Sequence, residues 1–210
     1  MKSRDRIQLV LFAISSIAYF PFSEWLSTTS IGSSLFLWGQ IFYLIPLMVA
    51  VLSMPVFIVC LCFPSTRPHS LNYFLLSPLF ILCCIGGIFL GQRIRKAGME
   101  SFAMRSLPLI NAIKKYELDH SSPPASLNEL VPNYLQAIPS TGMMAYPEYR
   151  YHTGIEAKEK YNDNPWAVSV FTPSGGINFD MMLYFPIQNY PIHGYGGSIE
   201  RIAQWAYVHE

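Results

Sequence analysis

The residues that could ligate a metal or attack a substrate are few in this chain, and their spacing suits neither task. Histidines stand at His69, His120, His152, His193 and His209. A helical zinc or hydrolytic site sets two histidines four apart, as in H-E-x-x-H. No two of the five are so spaced, and neither that motif nor G-x-S-x-G occurs. Cys60 and Cys62, and the adjacent Cys83 and Cys84, are soft ligands by type, but all four lie in an apolar run without a neighbouring histidine. In such a setting cysteine serves as a small buried apolar residue. Gly194, Gly196 and Gly197 flank Tyr195, where turn geometry with positive φ explains them better than a phosphate loop. The expectation is therefore a protein with no catalytic residue, no cofactor and no metal.

Aromatic side chains offer a different chemistry, that of recognition. Tyr146, Tyr149, Trp166, Tyr190, Tyr195 and Trp205 crowd the last third of the chain. Most must be core. Because tyrosine and tryptophan are enriched in binding hot spots, these six are also the candidate partner surface. From Arg93 to the end there are ten basic and eleven acidic residues. That balance lacks the basic face that nucleic acid requires.

The elements that carry these residues divide sharply. Between Ile7 and Gly91 only Glu24 and Arg67 are charged, whereas a soluble domain carries about a quarter charged residues. A span needs roughly 20 apolar residues to cross the hydrocarbon core. Three are expected: about 7–26, where the flank at Trp25 and Leu26 extends a short apolar run; 35–63, with no charge; and 71–92. Pro46, Pro55 and Pro78 should kink the second and third. Within the spans the polar side chains expected at mid-depth are Gln40, Ser53 and Ser77.

Lys2, Arg4 and Arg6 precede the first span, the loop from Ser23 to Ser34 has Glu24 but no base, and Arg67 lies between the second and third. The enrichment of lysine and arginine on the cytoplasmic side puts the N-terminus inside and residues 93–210 outside. The cluster Arg93, Arg95 and Lys96 opposes that placement, but long following domains translocate largely regardless of charge. The organisation expected is a membrane region at 1–92 and an extracytoplasmic domain at 93–210, in a multi-pass protein of a bacterial inner membrane.

In the second half, Phe102, Leu109, Ile110, Ile113 and Tyr116 recur at helical spacing and should extend the third span's helix to about Leu118. Ser126-Leu127-Asn128-Glu129 fits the S-x-x-E capping box of a second helix with Leu127, Leu130, Val131, Tyr134, Leu135 and Ile138 on one face. Period-two alternation then takes over at 149–153, 166–171, 177–185 and 199–208. The fold class expected is α+β: transmembrane helices, then a long helix packed on an antiparallel sheet of three to four strands.

The stretch "AIKKYELDHSSPPASLNELVPNYLQAIP", followed by "YPEYRY" and strands, resembles the pilin-like domain of type II secretion pseudopilins. Ala112-Ile113, Tyr116, Pro123 to Leu130, Tyr134-Leu135 and Pro139 carry the likeness. It implies a domain that binds another envelope protein in a setting of secretion or pilus-like assembly. Two extra spans precede the corresponding helix, and no prepilin leader is read, so filament assembly is not implied. Major pseudopilins hold calcium in a late loop; here Asn162, Asp163 and Asn164 are the oxygen-bearing residues, with a solvated turn as the alternative. The function expected is that of a non-enzymatic integral membrane protein with the bilayer and an envelope protein as partners. An immunity-type protein that neutralises a toxin, and a small transporter or membrane enzyme, remain the alternatives.

Overall fold

The computed structural model describes residues 3–174 and 178–210. By contact density the chain forms two compact units: residues 1–26 with 35–95, and residues 27–34 with 96–210.

The first unit is helical. α1 (Ser3–Ser27) and α3 (Ile41–Leu61) are joined through the short α2 (Leu35–Trp38), and α4 (Arg67–Arg105) follows. Among the described residues, three stretches are long and apolar enough to cross a membrane: Arg6–Ser27, Leu35–Leu61 and Ser70–His120. Pro21, Pro46, Pro55 and Pro78 lie inside helices that continue past them. The expected second span is interrupted at Gly39 and Gln40, between α2 and α3. α3 has no buried residue. Several of its large apolar side chains, among them Phe42, Met48 and Leu52, are exposed, the arrangement that suits a lipid solvent.

α1 and α4 run parallel and approach closely at glycines. A Cβ on Gly87 would meet the Ser16 carbonyl oxygen at 2.7 Å, and one on Gly91 would meet that of Phe20 at 3.3 Å. Gly87-x-x-x-Gly91 is thus a small-residue stripe of the kind that lets backbones pack where no hydrophobic force draws helices together.

The second unit is α+β. Phe102 and Ala103 near the end of α4, and Leu109, Ile110, Ala112 and Ile113 in α5 (Leu107–His120), are buried. The expected extension of the third span's helix runs to His120, with a one-residue irregularity at Ser106, whose backbone stays helical (φ −79°, ψ −11°) and whose hydroxyl donates to the Ala103 carbonyl oxygen at 2.8 Å. Pro108 falls in the first turn of α5, where its missing N–H costs nothing. Beyond α5 the expected second helix is absent. A single 3-10 turn at Leu127–Leu130 is all that forms. Val131 precedes Pro132 and is extended (φ −101°, ψ 134°), as the proline ring demands, so the apolar residues to Ile138 share no helix face.

Six strands, more than expected, follow: β1 (Arg150–Thr153), β2 (Trp166–Phe171), β3 (Met181–Tyr184), β4 (His193–Gly194), β5 (Gly197–Ile202) and β6 (Trp205–His209). A seven-residue helix, α6 (Gly154–Lys160), links β1 to β2. The order is β1-β2-β3-β6-β5-β4, with every pairing antiparallel. The single strand expected over 199–208 is a hairpin, because Ala203 turns at φ +53° and Ile202 pairs with Trp205. Ile177 lies outside the described residues.

Register assigns the faces. Trp166, Val168, Tyr184, Tyr207 and Trp205 share one face, and Phe102 meets it with its ring centroid 4.9 Å from that of Trp205. The other face carries Ala167, Leu183, Phe185, Ala206 and Val208, covered by Tyr161, Tyr190 and Tyr195. Both faces are therefore apolar, and β2 is buried along almost its whole length.

Candidate functional site

Charged side chains inside the helical unit are the first candidates, since an ionisable residue among spans is costly to keep. Glu24 does not stand in a loop as expected. α1 runs on to Ser27, and Glu24 is buried in its last turn. Arg95 Nη1 donates to Glu24 Oε2 at 3.0 Å, with both side chains at most a tenth exposed. Gln40 Nε2 donates to Glu24 Oε1 at 3.0 Å and to Ser23 Oγ at 2.9 Å. This knot ties α1, α4 and the α2–α3 junction together, which explains why the second span breaks at Gln40. Its groups are engaged with one another, so it is a structural device. The sequence signal was Glu24 itself, the single acid among the first ninety residues apart from Asp5.

In the sheet unit the six aromatic candidates have separate fates. Trp166, Trp205 and Tyr146 are buried, so their rings build the core. Trp166 Nε1 donates to Glu117 Oε2 at 2.8 Å, and the Tyr146 hydroxyl donates to the Pro173 carbonyl oxygen at 2.8 Å. Tyr149 is half-buried beside Phe102, and burial pushes its phenol up to about 12. Tyr190 and Tyr195 lie in the 185–196 loop, where they act as internal struts.

That loop is braced from every side. The Tyr190 ring stacks on Phe185 with centroids 4.6 Å apart, and its hydroxyl accepts from the Phe185 N–H at 2.7 Å and donates to the Gln204 carbonyl oxygen at 2.9 Å. The Arg201 guanidinium covers the outer face of the same ring at 4.3 Å and donates to Gln188 Oε1 at 2.6 Å. Tyr195 stacks on Tyr161, with centroids 5.9 Å apart. Held this way, the loop presents Ile187 and Ile192 to solvent at 57% and 82% exposure. The sequence reading passed over both; two prolines each followed by isoleucine, Pro186-Ile187 and Pro191-Ile192, were the available signal.

The oxygen-bearing run at 162–164 belongs to this bracing. Asn162 and Asp163 take left-handed backbone angles, with φ +55° and +60°. Asn164 is buried; its Oδ1 accepts from the Ile187 N–H at 3.1 Å and its Nδ2 donates to Asn189 Oδ1 at 2.7 Å. These residues fasten one loop to another. Among the described residues no group of three His, Cys, Asp or Glu is placed to hold a metal ion.

One polar cluster has the succession of groups seen in hydrolases. His152 Nε2 lies 3.1 Å from Ser169 Oγ and 3.1 Å from the Tyr161 hydroxyl, and its Nδ1 lies 3.4 Å from Glu156 Oε1. The i, i+4 spacing of His152 and Glu156 was legible and was missed. Burial lowers the basicity of the imidazole, which favours the neutral ring. Ser169, however, sits mid-strand between β1 and β3 with its backbone in the ladder. An acyl-transfer site needs N–H donors aimed at the oxyanion, whereas the strand backbone around Ser169 is paired to β1 and β3. The cluster is a polar tie between β1, α6 and β2. Elsewhere, Lys96 pairs with Glu200 and holds its carboxyl below the usual range, while His209 Nε2 lies 3.1 Å from the same carboxylate.

Comparison with family models, with curated proteins and with solved structures returns no match for this chain.

Proposed function

We propose that this is a multi-pass protein of a bacterial inner membrane whose sheet domain, on the outer side, binds another envelope protein through the 185–196 loop. The observation that carries the reading is the rigid display of Ile187 and Ile192 on a loop locked by Tyr190, Arg201 and Asn164. Exposed isoleucines are ordinary when single and mobile. Here two sit on one short loop braced from within the chain by the contacts of Tyr190, Arg201 and Asn164, and preorganisation of this kind reduces the entropy lost on binding. The likeness to the pilin-like domain of pseudopilins supports a role in secretion or pilus-like assembly. The excess of arginine and lysine before the first span and between the second and third supports the orientation.

The test places a photo-crosslinking residue at position 192, with one at Leu118, 82% exposed on α5, as control. The expected result is one crosslinked envelope protein from position 192 and none from 118. That product should vanish in Ile187→Asp while the thermal melt is unchanged. Equal products from both positions would count against the loop. Alkaline phosphatase fused after Glu210 should be active; an inactive fusion would reverse the orientation.

A further inference from the structure

We infer that the helical unit holds one anionic phospholipid, with an acyl chain in the groove between α1, α3 and α4 and the phosphate at the groove's arginine end. A cavity of about 520 Å³ opens there, lined by residues such as Leu9, Phe12, Ala50, Leu76 and Phe80. This lies within the roughly 300–1,000 Å³ of ordinary ligand pockets. The wall offers almost nothing to a polar ligand. Ser53, one of its few hydroxyls, already donates to the Ala50 carbonyl oxygen at 3.1 Å. An alkyl chain is the chemistry that fits.

The length and ends of the groove narrow the occupant further. Its lining on α3 runs from Ile45 to Phe57. At 1.5 Å per residue that is roughly 18 Å of helix, about half of a hydrocarbon core roughly 30 Å thick. The groove therefore has the depth of one leaflet. α1 and α4 are parallel, since Glu24 meets Arg95 and Phe12 stacks with Phe80. α3 opposes them, since Phe57 stacks on Tyr73 and Tyr43 on Phe12. The start of α1, the end of α3 and the start of α4 consequently share one side. Exposed Arg4, Arg6 and Arg67 all stand there. Asp5 is the only acid before Glu24, and none occurs between Glu24 and Glu100. A basic pocket at the end of a groove between spans is the setting in which anionic headgroups bind. Guanidinium matches phosphate with paired N–H donors.

The experiment uses the full chain, purified and delipidated in detergent, offered dioleoyl phosphatidylglycerol or dioleoyl phosphatidylcholine and weighed by native mass spectrometry. One phosphatidylglycerol per chain should be retained, about tenfold over phosphatidylcholine, the scale expected of a few basic residues near an anionic surface. Arg67→Gln should erase most of that preference. Ala50→Trp, which fills the groove, should abolish retention of either lipid. Should Ala50→Trp fail to fold, a phosphatidylglycerol with a mid-chain diazirine decides on the unaltered chain. Labels within 45–57 and 73–80 support the site. Labels spread over outward residues such as Phe42 and Leu52, equal retention of the two lipids, or a chain-to-chain product showing a second copy in the groove would each overturn it.

Discussion

The two units place their polar and apolar groups in opposite ways. In the helical unit Glu24, Arg95, Gln40 and Ser23 are buried, while Phe42 and Leu52 are more than two-thirds exposed. In the sheet unit Trp166, Tyr184, Trp205 and Phe185 fill both sides of the sheet, while Lys160, Glu156 and Glu200 stand toward solvent. Each arrangement suits a different solvent, lipid for the helical unit and water for the sheet unit. Lipid tails are as apolar as leucine, so burial of apolar area does not hold spans together. Glycine contacts at Gly87 and Gly91 and the Glu24–Arg95 pair do that work. Water makes burial of apolar area the main cohesive force for the sheet.

The largest effect should come from breaking the polar knot. Arg95→Ala takes the guanidinium away from the buried Glu24 carboxylate, and removing one partner of such a pair typically costs about 3–5 kcal/mol. Replacing both at once, as Glu24→Gln with Arg95→Met, should recover most of the loss. Unfolding of the full chain in mixed detergent with increasing dodecyl sulfate measures both. If Arg95→Ala matches the parent, the helical unit is not held from within by charge, and the contrast between the units fails.

Next in size is a cavity in the sheet unit. Leu130 is fully buried, and the 3-10 turn that carries it packs on α5. Leu130→Ala should cost about 2–5 kcal/mol, seen as a lowered melting temperature in the same detergent. A melt like the parent's would mean that the 126–138 stretch is a surface feature and not part of the core.

A smaller pair of variants sharpens the same stretch. The spacing Ser126-x-x-Glu129 suggested a capping box, but Ser126 makes no side-chain cap bond. Glu129 Oε2 instead accepts from the Ala125 N–H at 3.2 Å and from the Tyr116 hydroxyl at 2.8 Å. Ser126→Ala should therefore stay within about ±0.5 kcal/mol, as surface changes usually do. Glu129→Ala should lower the melting temperature by more. The reverse order would restore the capping box.

How much was legible follows from how local each cause is. The spans, the extension of the third into α4, and β2 at Trp166–Phe171 were readable because unbroken apolar runs and short β-branched or aromatic runs act within a few residues. The hairpin at Ala203 was not, because no glycine or asparagine marks the turn: Ala203 supplies the positive φ. α6 had a readable signature, Thr153 before Glu156 with Lys158 and Lys160 at the end, and was passed over. Glu24 was misplaced because its partner stands 71 residues away on Arg95, and pairing at that range leaves no local trace. The aromatic candidates misled in part because aromatic content reports core and surface alike. The register that buries Trp166 and Trp205 is set by strand pairing, and the struts at Tyr190 depend on Arg201 and Gln204 across a fold.

The smallest effect concerns pH and belongs to the sheet unit, at His152. Its imidazole faces Ser169 and Tyr161 at Nε2 and Glu156 at Nδ1, with Lys160 and Arg150 nearby. Burial is the larger influence and lowers the folded value below the ordinary 6.5 or so, against the opposing pull of Glu156. As pH falls, the unfolded chain therefore takes up its proton first. The contribution of His152 to stability is complete above about pH 6.5 and is lost as pH drops from there toward the folded value. Melts of the sheet unit's near-ultraviolet signal in the full chain should shift down modestly between pH 7.5 and 5.5. His152→Gln, which keeps hydrogen-bonding groups but cannot titrate, should flatten that slope while leaving the melt at pH 7.5 close to the parent's. An unchanged slope in His152→Gln would assign the acid sensitivity to another group.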